Sequence, residues 1–332
     1  MAALRVLITS RHFLSAGPRA AEPLMQAGLQ TVHGPRPGPL AEDALIEALR
    51  GVSAVIASSD PYTERVLCAC PALRVIARTG VGFDTIDIPA ATRRGVAVLT
   101  TPGHIAETVA DFAFGLMLAM LRRIPEAAAL MGGGGWVADL PGVDLWGKCL
   151  GVVGMGAIGS AVARRARGFG MRVLGYDPHI TSDAVAERGA EPAALEALLP
   201  AADVVTLHAA LTSDSRRLIG AAALACMRPT AVLINTARGD LVDTDALLAA
   251  LHAGRIGGAA LDAFDQEPLP AEHPLRKAPR CLLTPHIAAG TRENALDMAI
   301  RAAAAAAAVV AGRRPLPDVR VLNPEVLAGL PE

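Results

Sequence analysis

The sequence lacks any long run of charge of one sign. Its 332 residues include 31 basic and 32 acidic residues, which gives a formal net charge of −1. A protein that binds nucleic acid or a membrane surface needs a concentrated basic face. We therefore expect neither nucleic acid nor a membrane to be a partner.

The sequence also lacks a hydrophobic run of membrane-spanning length. Its longest strongly apolar helical stretch, Phe112 to Leu121, is followed by Arg122 and Arg123. This stretch falls well short of the roughly 20 residues that a transmembrane helix needs. The start of the chain leads directly into a strand-like run and does not have the pattern of a signal peptide. These features favour a cytoplasmic protein.

Cysteine is scarce. The five cysteines are scattered through apolar segments, and an odd number in such positions is typical of reduced thiols in a cytoplasmic protein. Around the closest pair, Cys68 and Cys70, no residues complete a metal-ligand set. We expect no metal site.

Apolar residues, by contrast, make up 52% of the chain, so that 332 residues can form two domains with a core each. Short apolar strands alternate with helical patterns, which is typical of parallel α/β architecture. The predicted strands are 5–9, 54–57, 74–77 and 97–99, then 149–153, 172–176, 204–207, 231–235, 258–263 and 281–283. The second series suits a six-stranded doubly wound sheet. Long helices are predicted for 106–123 and 292–311, and the apolar tail 319–326 is expected to rejoin the first domain.

A glycine-rich turn follows the first strand of the second series. Gly154, Gly156 and Gly159 form the pattern G-x-G-x-x-G between that strand and a predicted helix. The three glycines permit a tight turn, the close approach of backbone to a pyrophosphate, and close packing of helix on strand. The helix N-terminus offers unpaired N–H groups and a positive dipole to the phosphates. The pattern predicts a dinucleotide site.

The type of dinucleotide is indicated by Asp177, which ends the next strand, 18 residues after Gly159. A carboxylate at this position accepts hydrogen bonds from the adenosine ribose hydroxyls and repels a 2′-phosphate. The residues that follow, Pro178 to Ile180, include no arginine to receive that phosphate. The sequence therefore predicts NAD rather than NADP as the cofactor.

Three polar residues follow later strands of the same series, where open α/β sheets place their sites. His286 can donate a proton to the oxygen that becomes negative when a keto carbon accepts a hydride. Glu267 can fix the imidazole tautomer and favour its protonated form. Arg238 can bind a substrate carboxylate through two parallel hydrogen bonds. Taken singly, each residue has an ordinary explanation as a loop or surface residue, but together, downstream of a dinucleotide pattern, they predict a dehydrogenase site.

With these motifs the chain resembles the family of D-isomer-specific 2-hydroxyacid dehydrogenases, which includes phosphoglycerate dehydrogenases and glyoxylate or hydroxypyruvate reductases. The resemblance covers nearly the whole chain. It is carried by the stretches 74–87, 154–177, 235–239 (Asn-Thr-Ala-Arg-Gly), 261–268, 284–290 (Thr-Pro-His-Ile-Ala-Ala-Gly) and 323–326. It implies two doubly wound α/β domains: a Rossmann NAD-binding domain at 103–289 and a flavodoxin-like substrate domain at 1–102 plus 290–332, with the active site in the cleft between them.

The resemblance also implies roles for individual residues. Arg238, Glu267 and His286 are the implied catalytic set. Arg78, Arg238 and the backbone around Val81 and Gly82 are the implied substrate-binding groups. Asp262 is implied to contact the nicotinamide amide. The other implied cofactor-binding residues are Gly154, Gly156, Ala157, Ile158, Gly159, Asp177, Thr108, His208, Thr212 and Ala237. Ala210, in place of the usual proline, and Asp111, where glutamate is commoner, are departures that affect loop rigidity more than chemistry.

A homodimer is implied as well, joined mainly through the helix after Pro102 and the Gly-Trp loop that follows it.

The absence of certain cations narrows the class of substrate. Phosphoglycerate dehydrogenases place arginines at the positions of Ala57 and Ala138, and this chain has no lysine or arginine from Ile124 to Gly147. Only Arg78 remains, so we favour an unphosphorylated substrate such as glyoxylate or hydroxypyruvate.

The alternative is a D-3-phosphoglycerate dehydrogenase, for which the chain is expected to end too early to include an added regulatory domain. Formate dehydrogenases of this fold carry glutamine where this chain has Glu267, so we disfavour that activity; phosphite oxidation stays open on a similar triad. A non-enzymatic NADH sensor of the same fold is also disfavoured, because such proteins bind partners through extra surfaces or disordered tails that we do not find in the sequence.

Overall fold

The structure, a computed structural model, describes residues 4–35, 39–102, 105–136 and 139–331. The chain divides into two compact units, one of Met1–Ile105 with Gly290–Glu332 and one of Ala106–Ala289. The strands in the described residues are β1 Arg5–Ile8, β2 Gln30–His33, β3 Ala54–Ala57, β4 Val75–Arg78, β5 Ala97–Thr100, β6 Cys149–Val153, β7 Arg172–Tyr176, β8 Glu191–Pro192, β9 Val204–Leu207, β10 Val232–Asn235, β11 Gly258–Leu261, β12 Cys281–Leu283 and β13 Arg320–Val321.

Helices connect most of these strands. They are α1 Arg11–Ser15, α2 Glu22–Gln26, α3 Glu42–Ala48, α4 Glu64–Ala69, α5 Ile88–Arg93, α6 Ile105–Leu121, α7 Ile124–Gly132, α8 Ala157–Gly168, α9 Ser182–Glu187, α10 Leu195–Ala201, α11 Ala221–Cys226, α12 Thr244–His252 and α13 Arg292–Val310. No helix in the described ranges combines the length and apolar character needed to cross a membrane.

The first unit is built on a sheet of order β13-β5-β4-β3-β1-β2. The strands β1 to β5 are parallel and take the flavodoxin-like order, and β13 joins antiparallel to β5. Within the tail 319–326, Arg320 and Val321 thus pair with Thr100 and Leu99 of this sheet. Strand β2 was not predicted, because it is an edge strand whose side chains are half-buried or exposed. Its residues therefore show no apolar run.

Helix α13 covers one face of this sheet. Eleven of its residues are buried, mostly alanines, and eight of them, from Ala299 to Val310, belong to one apolar cluster with buried residues of β3, β4 and β5. Alanine has the highest helix propensity and lets the helix axis approach the sheet closely. The alanine run 302–308 is therefore an ordered core element, as the sequence predicts.

The second unit is built on a sheet of order β12-β11-β10-β9-β6-β7-β8, in which all neighbours are parallel. The order from β8 through β6 to β11 is that of a Rossmann fold, with β12 added at the edge. The predicted α/β class is confirmed. The sequence predicts six strands here, and the seventh, β8, is a two-residue edge strand that is too short for a periodic pattern.

The long helix predicted for 106–123 ends earlier than expected. Helix α6 stops at Leu121, and α7 begins at Ile124. Between them Arg123 adopts a left-handed conformation with φ of 55°, which interrupts the helical hydrogen bonding. Of the glycine run 132–135, Gly132 ends α7 and the others follow it, with Gly134 at φ 79°.

Candidate active site

The carboxyl ends of the strands in the second unit bring the predicted site residues to one edge. In the parallel register, Asn235 on β10 lies beside Leu261 on β11, and Leu261 lies beside Leu283 on β12. Residues that follow these strands therefore start at the same level of the sheet. The loops that carry Arg238, Glu267 and His286 all begin from these strand ends.

The glycine turn follows strand β6 and lies at the same edge of the sheet. Gly154 has φ of 91°, and a Cβ atom there would lie 2.4 Å from the Ala209 amide nitrogen. A Cβ on Gly159 would lie 2.0 Å from the Gly154 carbonyl oxygen, so helix α8 packs directly on the turn. A Cβ on Gly156 would meet no atom within 4 Å. The first and third glycines are thus required for packing, and the second faces open space in which a ligand can approach the backbone.

The N-terminus of α8 starts at this open position. Gly156 is the N-cap, with no side-chain cap and no acidic residue in the first turn. The N–H groups of the first turn, which includes Ala157, Ile158 and Gly159, have no intrahelical acceptors and carry the positive end of the helix dipole. Together with the open side of Gly156, this arrangement fits the pyrophosphate of a dinucleotide.

Asp177 is held against the glycine turn. Its Oδ2 accepts a hydrogen bond from the Met155 amide at 2.9 Å, and its Oδ1 accepts one from the His179 amide at 3.0 Å. The carboxylate is therefore fixed at the end of β7, next to the turn, where the adenosine ribose of a dinucleotide binds in this fold.

His208 follows β9 and is neutral. Its Nε2 lies 2.9 Å from the Thr206 hydroxyl, and burial lowers the pKa of His208 to about 3. Its Nδ1 and the hydroxyl of Thr236, on the neighbouring strand end, are buried polar atoms for which the described residues provide no hydrogen-bond partner. Unpaired buried polar atoms are rare in folded proteins, and these two lie at the edge where a cofactor would bind.

The loop after His208 is held by hydrogen bonds between its own residues. The Thr212 amide donates to Ser215 Oγ at 2.8 Å, and Ser215 Oγ donates to the Ala210 carbonyl at 2.7 Å. Ser215 therefore provides a constraint in this loop, in which the proline usual in the family is replaced by Ala210. Thr108, another predicted cofactor residue, lies near the start of α6 and is half-buried.

Glu267 and His286 form a hydrogen-bonded pair. Oε2 of Glu267 lies 2.7 Å from Nδ1 of His286, and Oε1 accepts from the Phe264 amide at 3.0 Å. Burial raises the pKa of Glu267, but the His286 hydrogen bond and charge, the Phe264 amide and the Arg238 charge outweigh it, so that the pKa is lowered. Glu267 is thus ionised and orients the ring through Nδ1. The His286 side chain is 44% exposed, and its Nε2 has no hydrogen-bond partner within the described residues.

Asp262 holds the loop that carries His286. This aspartate is 1% exposed. One carboxylate oxygen accepts from the Thr284 hydroxyl at 2.6 Å and from the Ile287 amide at 3.0 Å, and the other accepts from the Ala288 amide at 2.8 Å. These donors flank His286, whose φ of 53° is left-handed. Three hydrogen bonds to one carboxylate therefore stabilise an unusual backbone conformation at His286.

Asn235 organises the Arg238 turn in a similar way. Its Nδ2 donates to the Arg238 carbonyl at 2.8 Å, and its Oδ1 accepts from the Ala237 amide at 3.0 Å. Its own carbonyl accepts from the Asp262 amide at 2.8 Å. The turn also packs tightly on the next loop, since a Cβ on Gly239 would lie 1.9 Å from the Phe264 carbonyl carbon. Arg238 is thereby brought beside Glu267.

The predicted substrate-binding residues Arg78, Val81 and Gly82 lie in the first unit, at the end of β4 and in the loop after it. Arg78 is 7% exposed, and its Nη2 donates to Ser59 Oγ at 3.3 Å. The loop is fixed by Thr101, whose hydroxyl accepts from the Gly80 amide at 3.1 Å and donates to the Arg78 carbonyl at 3.0 Å.

Three supporting residues of the site have no role predicted from the sequence: Asn235, Thr284 and Thr101. The first two lie inside stretches that carry the family resemblance, which is the signal that could have found them. Their function as hydrogen-bonding supports depends on partners that only the fold brings close. In the described part of the chain, no group of three or more histidine, cysteine, aspartate or glutamate residues is arranged to hold a metal ion.

Known proteins match this chain over most of its length. The family model "D-isomer specific 2-hydroxyacid dehydrogenase, NAD binding domain" matches residues 114–288. A glyoxylate reductase from Korarchaeum cryptofilum (strain OPF8) is 45% identical over 267 residues, which cover 79% of this chain and 80% of that protein. A D-3-phosphoglycerate dehydrogenase from Methanocaldococcus jannaschii is 40% identical over 257 residues, which cover 76% of this chain and 49% of that protein.

A solved structure agrees with these sequence matches. The TT0316 protein from Thermus thermophilus is 40% identical, with a TM-score of 0.85, over 96% of this chain and 100% of that chain. The predicted family, the predicted Rossmann fold and the predicted NAD cofactor are thus confirmed. The chain belongs to the D-isomer-specific 2-hydroxyacid dehydrogenases, a family of NAD-binding oxidoreductases.

Proposed function

We propose that this dehydrogenase interconverts a small, unphosphorylated 2-keto acid, such as glyoxylate or hydroxypyruvate, and its D-2-hydroxy acid, with NAD as cofactor. The observation that carries the proposal is the 2.7 Å hydrogen bond between Glu267 and His286, beside the cation of Arg238. Relatives named glyoxylate reductase support the choice of substrate.

His286 is the acid–base residue in this proposal. Its Nδ1 is occupied by ionised Glu267, so a proton can be exchanged with substrate only at Nε2. A nicotinamide held by the second unit would provide the hydride for reduction of the keto carbon, or accept it in the oxidation of the hydroxy acid. His286 donates a proton to the carbonyl oxygen in the direction of reduction and removes it in the direction of oxidation. Glu267 orients the imidazole ring through Nδ1.

Arg238 orients the substrate. A guanidinium can hold a carboxylate through two parallel hydrogen bonds, which fixes the position of the neighbouring keto group. Asn235 holds the Arg238 turn by two hydrogen bonds. In our proposal Arg78 and the backbone N–H groups of Val81 and Gly82 also bind substrate, so the unit of 1–105 with 290–332 acts as the substrate domain. The NAD-binding domain is the other unit.

The cofactor contacts follow from the geometry of the second unit. We assign the pyrophosphate to the glycine turn and the first turn of α8, and the adenosine ribose to Asp177. His208, Thr212, Ala237, Asp262 and Thr108 are proposed as further contacts. For Asp262 this contact would be additional to the three hydrogen bonds that its carboxylate accepts from residues 284, 287 and 288.

The lack of cations at two positions and in one stretch of the sequence supports the proposal of an unphosphorylated substrate. A phosphate dianion that leaves water needs charge-assisted hydrogen bonds, usually from arginine. Ala57, where phosphoglycerate dehydrogenases carry arginine, is fully buried at the end of β3. Ala138, the second such position, lies outside the described residues. The sequence from 124 to 147 contains no lysine or arginine.

We further propose that the protein is a cytoplasmic homodimer. In the second unit, helix α7 buries none of its residues. Large apolar side chains of this helix and of the segment after it are exposed: Ile124 by 53%, Met131 by 56%, Trp136 by 83% and Trp146 by 79%. Exposed apolar patches of this kind are typical of protein–protein interfaces. The five cysteines are free thiols, which suits a reducing compartment.

A substrate panel tests the proposed activity. Purified protein is mixed with NADH and, separately, glyoxylate, hydroxypyruvate, pyruvate, 2-ketoglutarate and 3-phosphohydroxypyruvate, and the oxidation of NADH is followed by absorbance. We expect catalytic turnover with at least one small unphosphorylated keto acid. Stoichiometric binding of NADH without turnover on any substrate would instead identify an NADH-sensing protein.

A further inference from the structure

Arg188 and Asp177 both form hydrogen bonds with Met155 of the glycine turn. Its Nη1 donates a hydrogen bond to the Met155 carbonyl at 2.5 Å. The amide of the same residue donates to Oδ2 of Asp177 at 2.9 Å. Met155 lies between the first two glycines of the turn and is fully buried. One residue of the turn is thus held at its amide by an anion and at its carbonyl by a cation.

These two hydrogen bonds limit the distance between the two charges. The amide nitrogen and the carbonyl oxygen of one residue are less than about 4 Å apart. The Asp177 carboxylate and the Arg188 guanidinium must therefore lie within about 10 Å of each other, by these bond lengths. A 2′-phosphate on a ribose bound at Asp177 would be within reach of the long, flexible Arg188 side chain.

Arg188 also has N–H groups that could bind a ligand. Its side chain is exposed, at the end of α9. The described residues provide an acceptor for Nη1 but none for its Nε and Nη2 groups. A further cation, Arg167, lies near the residue after Arg188, because a Cβ on Gly189 would be 2.7 Å from Nη2 of Arg167. After Asp177 the sequence contains no arginine until Arg188.

We propose that Arg188 is a specificity-determining residue for the cofactor, which acts in opposition to Asp177. The Asp177 carboxylate repels a 2′-phosphate, and Arg188 supplies the cation that binds this phosphate once the carboxylate is neutral. The preference for NAD is therefore set by one charge, and the chain already contains the arginine that a 2′-phosphorylated cofactor needs. The inference rests on the proposed adenosine site, but not on the choice of keto acid.

The test measures binding of the adenosine half of each cofactor without any keto acid. Isothermal titration calorimetry compares 5′-AMP with 2′,5′-ADP on the wild type and on Asp177→Asn, in which the amide oxygen can still accept from the Met155 amide. We expect Asp177→Asn to bind 2′,5′-ADP at least about tenfold more tightly than the wild type does, because a repulsive charge is removed. The kcat/KM for NADPH should rise in parallel.

The role of Arg188 is isolated in a second variant. Asp177→Asn combined with Arg188→Gln should lose most of the gain for 2′,5′-ADP and lower the ratio of 2′,5′-ADP affinity to 5′-AMP affinity. The matched control combines Asp177→Asn with Arg172→Gln. Arg172 begins the same strand β7 and pairs with Glu191 at the edge strand β8, so this control should keep the gain.

Two results would overturn the inference. One is a full gain for 2′,5′-ADP in the Asp177→Asn, Arg188→Gln variant. The other is an Asp177→Asn variant that keeps its fold, shown by circular dichroism, but gains no affinity for 2′,5′-ADP. Failure of the proposed function would look different: the wild type would bind 5′-AMP but would not reduce any of the keto acids with NADH.

Discussion

Nδ1 of His286 lies 2.7 Å from Oε2 of Glu267, although the two residues are on separate loops after β12 and β11. The pair leaves Nε2 as the ring nitrogen that can exchange a proton with substrate. The backbone of His286 is left-handed, with φ of 53°, and this conformation is supported by the hydrogen bonds from its loop to Asp262. The geometry thus links the proposed acid–base residue to two carboxylates, of which one orients the ring and the other holds the loop.

Removing the imidazole tests its role in proton transfer. We predict that His286→Ala lowers kcat by about 10²–10⁴-fold, because general acid–base catalysis contributes a factor of this size. NADH binding should persist, since the glycine turn is unchanged. Steady-state kinetics and a fluorescence titration with NADH measure the two effects. His252→Ala, at the exposed end of α12, is the control that should keep kcat. An unimpaired kcat in His286→Ala would remove this residue from the mechanism.

Arg238→Lys tests whether a planar, two-pronged donor is needed. Lysine keeps the charge but cannot form two parallel hydrogen bonds to a carboxylate. We expect kcat/KM for the keto acid to fall by about tenfold to a hundredfold, or roughly 1.4–2.8 kcal/mol. Arg228→Lys, which alters an exposed ion pair with Asp203, is the matched control. Equal efficiency of Arg238→Lys and wild type would mean that Arg238 does not hold the substrate carboxylate.

Asp262→Asn distinguishes between two roles of the buried aspartate: support of the His286 loop and contact with nicotinamide. An asparagine would place a donor NH2 group either against the Ala288 amide or against the Thr284 and Ile287 donors, so the His286 loop should lose support in either orientation. We predict a loss of about 1.5–3 kcal/mol in the free energy of unfolding, as for hydrogen bonds to a charged group, and a fall in kcat. If the main role were contact with nicotinamide, NADH affinity would fall more than kcat.

A control for this variant is Asp203→Asn. Asp203 accepts a hydrogen bond from the Cys149 amide at 2.9 Å at the opposite, amino-terminal edge of the same sheet. This change should lower stability without a matching loss of kcat. Chemical denaturation and steady-state kinetics on both variants give the comparison.

His208 predicts a dependence of stability on pH. Burial lowers its pKa from 6.5 to about 3, so between these values the unfolded state binds a proton that the folded state does not. Folding is therefore destabilised as pH falls below 6.5, by up to about 1.4 kcal/mol per pH unit. We predict that the free energy of unfolding falls less between about pH 7 and pH 5 in His208→Gln than in the wild type. Urea denaturation at both pH values measures this difference, and equal falls would show that His208 is not buried in its neutral form.

Much of the fold follows from local sequence. The fully buried strands β6, β9 and β10 are mostly apolar, and the first and third glycines of the turn stand where close packing leaves no room for a side chain. The edge strands β2 and β8 could not be predicted, because one is half-exposed and the other has two residues.

The grouping of the candidate site residues was predictable from the sequence, but the contacts that support them were not. The positions of Arg238, Glu267 and His286 after strand ends indicated that these residues lie together. The hydrogen bonds that support the site join residues far apart in the sequence. Asp262 accepts from donors 22 to 26 residues away, and Arg188 donates to a carbonyl 33 residues away. Such contacts depend on how loops pack, and no local pattern encodes them. Cytoplasmic location and a homodimer remain predictions.

The most direct test of the proposed substrate class is a side-by-side measurement of kcat/KM for glyoxylate, hydroxypyruvate and 3-phosphohydroxypyruvate with saturating NADH. Hydroxypyruvate and 3-phosphohydroxypyruvate differ only by the phosphate, so their ratio reports whether the site supplies cations for it. We predict a higher kcat/KM for glyoxylate or hydroxypyruvate, because alanine stands at positions 57 and 138 where phosphate-binding relatives carry arginine. A clear advantage for 3-phosphohydroxypyruvate would contradict the proposal and identify the protein as a phosphoglycerate dehydrogenase.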